Sequence, residues 1–247
     1  MATLVVPPAA RQKSERRFYS GMALFLLAVV ILGFGPSFYL RDIVPAYPRP
    51  NPSLPPSVIL HGTLFTLWML AFIAQTQLVA AGRRDLHMKL GAATMLLALA
   101  IIPMMYLAAV WQVARANQPP FTDPLNWTAV PLFAIPPFAF FVWQAWRRRR
   151  EPQWHKRFML GAAILVVFGP AIGRIPMAPP TFAAQCVQLV FGLVLFAPMF
   201  VWDRRSMGRV HPATWTVFAL SAASIVIPLI LIGTESWAPI ARHLPGV

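Results

Sequence analysis

The sequence predicts an all-α protein: a polytopic transmembrane bundle of seven helical spans, with the N-terminus in the cytoplasm and the C-terminus outside. Three observations lead there. Of the 247 residues 58% are hydrophobic and only 11% are charged, whereas a soluble domain carries about a quarter charged residues. Seven apolar segments approach or exceed the roughly 20 residues that a bilayer core of about 30 Å requires. Sixteen of the 21 Lys and Arg residues fall in four clusters on alternate sides of those segments, the short-loop excess that marks the cytoplasmic side.

The elements follow in order. A basic tail, 1–19, holds Arg11, Lys13, Arg16 and Arg17. The first span, 20–40, is long enough to cross, and no small-residue cleavage signal follows it, so it is expected to stay as an uncleaved helix. The outer loop, 41–57, reads Pro-Ala-Tyr-Pro-Arg-Pro-Asn-Pro and ends in Pro55 and Pro56, which favours a polyproline-like strap. Spans two and three, 57–81 and 88–112, turn at Arg83, Arg84 and Lys89. Spans four and five, 126–146 and 156–174, turn at Arg147 to Arg150 with Lys156 and Arg157. Spans six and seven, 181–202 and 212–236, turn at Arg204, Arg205 and Arg209. Residues 20–237 thus form one membrane domain of repeated hairpins, followed by an outer tail, 238–247. Only Arg41, Arg49, Arg115, Arg174 and Arg242 remain for the outer face. Pro36, Pro103, Pro136, Pro137, Pro170, Pro198 and Pro228 lie within spans, and each should kink its helix by removing a backbone donor.

A net charge of +14 would suggest nucleic acid in a soluble protein. Here the cations sit at span ends, so no nucleic-acid partner is expected. The partners are the lipid bilayer and anionic headgroups at the cytoplasmic face, each worth roughly 1 kcal/mol per nearby cation. The single cysteine, Cys186, allows neither an intrachain disulfide nor a thiolate metal cluster.

The outward-running helices repeat a pattern. His87, His155 and His211 each open a helix, and Pro103, Pro170 and Pro228 follow them by 15 to 17 residues. A parallel repeat of hairpins would gather the three imidazoles at one depth. With Asp85, Glu151 and Asp203 close by in sequence, they form a first candidate site, able to ligate a metal or, as a pair, the axial positions of a haem. An interfacial His beside Arg and Lys is the plainer alternative. A second candidate is His61 on span two, aligned with Trp68 and Gln75 on one helical face. Polar residues inside a span are costly and face the bundle or a cavity. A third is an outer pocket of Asp42, Arg174 and Glu235, to which His61 and Gln75 are assigned as well. Arg174 is the one intramembrane cation that opposes the charge bias, which suggests a paired or anion-binding role.

His61-Gly, Trp68, Gln75 or Gln77, Arg84 and Leu86-His87-x-x-Leu90-Gly91 resemble the signature of a family of bacterial polytopic membrane proteins of unknown function. His155-Lys-Arg-x-Met, Gly169-Pro-Ala-Ile-Gly-Arg174 and Gly208-Arg-Val-His211-Pro-Ala resemble other segments of such proteins. This implies a membrane location and little about activity; the expected membrane is the cell's inner (plasma) membrane. A looser similarity is to cytochrome b561-like membrane proteins, whose paired His ligands hold haems near both faces; here the outer side offers only His61 and His243.

Three functions follow as expectations. The chain is a redox-linked protein holding a haem, a His-ligated metal or a quinone through His87, His155 and His211, with His61 marking an outer site. Alternatively it is a small-solute transporter or binder using the outer pocket, or an accessory or assembly subunit, as a homo-oligomer or with a membrane-complex partner. The near absence of deep carboxylates weighs against an ion-coupled transporter, which tilts the choice toward the first.

Overall fold

The computed structural model describes residues 8–43, 53–174 and 181–247, and those residues form helices and turns with no strand. Most of the expected polyproline strap, 44–52, lies outside the described residues, and Arg49 with it. Among the described residues, seven helical segments are long and apolar enough to cross a membrane: Gln12–Tyr39, Pro56–Ala80, Arg84–Arg115, Pro124–Arg147, Pro152–Ile172, Phe182–Met207 and Pro212–Gly233. They fit an integral, multi-pass membrane protein.

The elements are α1 (Pro8–Phe34), α2 (Pro56–Ala80), α3 (Arg84–Arg115), a short α4 (Pro124–Trp127), α5 (Ala129–Arg147), α6 (Pro152–Val167), α7 (Phe182–Gly192), α8 (Ala197–Met207), α9 (Pro212–Gly233) and a short α10 (Ala238–Ala241). The basic tail does not stop short of the first helix. α1 already begins at Pro8, and Glu15 on it pairs with Lys156 of α6. The outer tail is likewise docked: Ala238 N–H donates to Asn126 Oδ1 (2.8 Å), and Tyr106 donates to the Pro245 carbonyl (2.9 Å).

The starts of α1, α3, α6 and α9 and the ends of α2, α5 and α8 share one end of the bundle, because Arg16 reaches the Ala80 carbonyl and His211 N–H reaches Asp203. This basic end carries the cationic turns, and Pro8 and Val247 fall at opposite ends of the bundle. α6 is its axis. From Arg157 to Leu165 every residue is buried, and the small Gly161, Ala162 and Ala163 let neighbours come close on all sides. The outer helices instead leave Leu32, Leu96, Val187 and Phe191 exposed, as a lipid-facing surface requires.

The prolines act in two ways. Pro103, Pro136, Pro137 and Pro228 lie inside helices. At Phe34-Gly35-Pro36 and Phe168-Gly169-Pro170 the helix instead widens into π-helical turns, Gly35–Tyr39 and Phe168–Ile172, a wider winding that accommodates the missing donor and the ring. Span six breaks similarly, with a 3-10 turn at Leu193–Phe196 just before Pro198. The two π-turn regions pack together through Gly33, where a Cβ would lie 2.6 Å from the Ala171 carbonyl oxygen.

Candidate functional site

The five consecutive residues at the start of α6, Gln153 to Arg157, reach five other helices between them, since successive helical side chains turn by about 100°. Arg157, held by Gln153, faces α8, Trp154 faces the start of α9, His155 faces α5 and α3, and Lys156 faces α1. The resulting polar layer lies at the basic end.

Its most buried part is an ion pair that the sequence divided between two roles, with Arg157 among the topological cations and Asp203 beside the His cluster. Both side chains are 1% exposed. Arg157 Nε donates to Asp203 Oδ1 (3.0 Å) and Nη2 donates to the same oxygen. Asp203 Oδ2 also accepts from Thr214 Oγ1 (2.6 Å) and from His211 N–H (2.9 Å). Arg157 Nη1 is satisfied by the carbonyl and side-chain oxygen of Gln153, 2.7 Å each. A charge buried at a span end must be paired to be tolerated, and this pair joins α6, α8 and α9. The available signal was Asp203 itself, one of only seven acidic residues in the chain and the one at the end of span six.

The three repeated His residues share a structural job. Each ties its helix start back to the preceding helix: His87 to Gln75, His155 Nδ1 to the Ala145 carbonyl (2.8 Å), and His211 N–H to Asp203. Two of the three rings meet. His87 and His155 stand nearly perpendicular with centroids 6.2 Å apart. His211 instead caps α9, its Nδ1 accepting from Ala213 N–H (3.1 Å), and its ring packs on Trp154 at 4.7 Å. Arg148 lies 3.9 Å from the centroid of that indole. Burial, and then the Arg157 charge, hold the His211 imidazole below its ordinary pKa. Among the described residues no group of three or more His, Cys, Asp or Glu is placed to hold a metal ion. Asp85 and Glu151 pair with Arg83 and Arg148 in exposed turns.

Gln75 belongs to this end and not to the outer pocket. The orientation of its amide is assigned from its surroundings: turned so that both ends are satisfied, its nitrogen faces the His87 carbonyl (3.1 Å) and His87 Nδ1, and its oxygen faces Gly91 N–H (2.8 Å). These partners assign the tautomers. His87 Nδ1 is an acceptor, so its Nε2 carries the hydrogen. His155 Nδ1 is the donor, so its Nε2 carries the lone pair. The two neighbouring imidazoles therefore offer one donor and one acceptor.

The other expected pocket residues scatter at the opposite end. Asp42 pairs with Arg41 and is 86% exposed. Glu235, at a positive φ of 54° just after α9, is exposed. His61 and Arg174 lie at this end too: His61 packs on the Phe65 ring at 4.6 Å, and Arg174 lies over the Phe34 ring at 4.6 Å.

Comparison with known proteins gives no match to any family model, curated protein or solved structure.

Proposed function

We propose that the chain is a seven-span protein of a bacterial inner membrane, of the uncharacterised family its motifs resemble, set with its basic end in the cytoplasm, and that its His87–His155 pair binds the headgroup of a quinone. The perpendicular packing of His87 on His155, centroids 6.2 Å apart, carries the reading, and the tautomers assigned from Gln75 and Ala145 choose the ligand, because they leave one imidazole donor beside one imidazole acceptor. A metal ion asks for lone pairs only, and usually for three or four protein ligands. A haem would need lone pairs from both rings. A quinone carbonyl accepts from His87 Nε2–H, and a quinol hydroxyl donates to His155 Nε2. The pair lies at helix starts, at the depth where a lipid-soluble headgroup resides. Asp203, Asp85 and Glu151 are committed elsewhere, so the imidazoles carry the proton chemistry.

The test is titration of the detergent-purified protein with a short-tailed quinone, read by quenching of tryptophan fluorescence, with Trp154 next to the site. His87→Ala and His155→Ala should each weaken binding about tenfold, the scale of one lost hydrogen bond in a buried site, while His61→Ala binds as wild type. Absorption spectra and elemental analysis of the same sample decide the rival. A Soret band, or one metal per chain lost in the His87 and His155 variants, would overturn the quinone reading in favour of haem or a His-ligated metal.

A further inference from the structure

At the end of the bundle opposite the His pair, the geometry points to a second binding site, for an amphiphile with a single anionic head, between the close of α1, the start of α2 and the close of α6. The site is built by the two π-turns. The wider winding at Gly35–Tyr39 carries Phe38 against α2, where Gly62 has no side chain to obstruct it: a Cβ there would lie 2.4 Å from the ring. Tyr39 Oη and Thr66 Oγ1, 2.8 Å apart, tie the same two helices a turn further along. The π-turn at Phe168–Ile172 delivers Arg174, whose Nη1 donates back to the Pro170 carbonyl and whose guanidinium faces Phe34. Next to Gly62 on α2 is His61, packed on Phe65 at 4.6 Å, with a buried Nδ1 that has no hydrogen-bond partner among the described residues.

The chemistry of this set is specific. A guanidinium over Phe34 and an imidazole on Phe65 are linked through Phe38, which follows Phe34 by four residues and lies against Gly62 beside His61, and Asp42 and Glu235 both stand exposed, Asp42 held by Arg41. An unpartnered nitrogen costs roughly 1–3 kcal/mol when buried, a cost that a ligand oxygen removes. Arg174 supplies the donors suited to a carboxylate or phosphate. His61 lies five residues inside α2, about 7 Å below the helix end, so the anionic head sits just under the surface. Its chain then runs along lipid-facing residues of the same two helices, such as Leu32 and Leu60, which are 65% and 49% exposed. A phospholipid phosphate and a free fatty carboxylate share this chemistry.

The full-length protein in dodecylmaltoside is titrated with laurate, short-chain phosphatidylglycerol and short-chain phosphatidylcholine by calorimetry. At least one anionic probe should bind about tenfold more tightly than phosphatidylcholine, the scale of one charge-assisted contact. Binding of phosphatidylglycerol alone assigns the site to bilayer lipid, and binding of laurate assigns it to a free amphiphile. Arg174→Gln and His61→Ala should weaken that probe, whereas Arg41→Gln and His87→Ala should not. Arg174→Glu guards against a merely structural effect, because it should transfer the preference to dodecyltrimethylammonium. Equal affinity for all three lipidic probes, or unchanged binding in Arg174→Gln, would overturn the proposal.

Discussion

Removing the Asp203 carboxylate strands a guanidinium inside the protein. In Asp203→Ala, Arg157 stays 1% exposed and keeps only its contacts to Gln153 and to the Met207 sulfur. Breaking a buried pair from one side costs about 3–5 kcal/mol. Loss of the acceptor for Thr214 and for His211 N–H adds about 1 kcal/mol each, while the Gln153 oxygens and local water entry offset part of it. The expected net loss is about 4 kcal/mol. Asp203→Asn keeps one acceptor oxygen and should lose about half as much. The decisive variant is Arg157→Met with Asp203→Leu, since an apolar pair of similar volume is often neutral or better than the ion pair it replaces. Unfolding is followed by tryptophan fluorescence as sodium dodecyl sulfate is mixed into neutral-detergent micelles, and the wild type, Arg157→Met, Asp203→Leu and the double variant form a double-mutant cycle. The double variant should be more stable than Asp203→Ala by at least about 2 kcal/mol. If Asp203→Ala loses less than about 1 kcal/mol, or the two changes simply add, the pair is not the closed, desolvated clamp described here.

Other outcomes are expected. Gly33→Ala would favour α1 by up to about 1 kcal/mol on helix propensity, but the added Cβ meets the Ala171 backbone at 2.6 Å, so the measured sign in the same assay should be destabilising, by about 1–3 kcal/mol. His211 is held below its ordinary pKa of about 6.5 by burial and by Arg157, with Lys156 and Arg209 acting the same way and Asp203 opposing them. The unfolded chain therefore takes up the proton first. Stability should be full above pH 6.5 and fall as pH drops below it, by at most about 1.4 kcal/mol per pH unit. His211→Asn, which retains a capping oxygen, should flatten that slope in unfolding measured from pH 7.5 to 5. For orientation, single cysteines at Arg149 and at Glu235 in a Cys186→Ser background should label from opposite sides of sealed inverted vesicles. A membrane-impermeant maleimide should reach position 149 first, and the reverse order would overturn the assignment of the basic end to the cytoplasm.

The seven spans were legible because lipid sets a one-dimensional rule: about 20 apolar residues in a row cross it, and every backbone group must bond within its own segment. That rule needs no partner helix, so the sequence alone marked the crossings and grouped the cationic turns on one side. It also found His87, His155 and His211 as one repeated position, which the structure explains as a tie between each helix start and the helix before it. What packing decided is which side chains share a neighbour. Gln75 reads equally well as part of either end until α3 is placed beside α2, and then it holds His87. Arg157 reads as one more topological cation until α8 and α9 close around it and oblige Asp203 to answer its charge. Asp42 and Glu235 share an end with His61 and Arg174 but stand exposed. A hydropathy pattern fixes depth along the membrane normal, whereas direction around each helix axis depends on its neighbours. The tertiary structure therefore turned three His at one level into a facing pair and a helix cap.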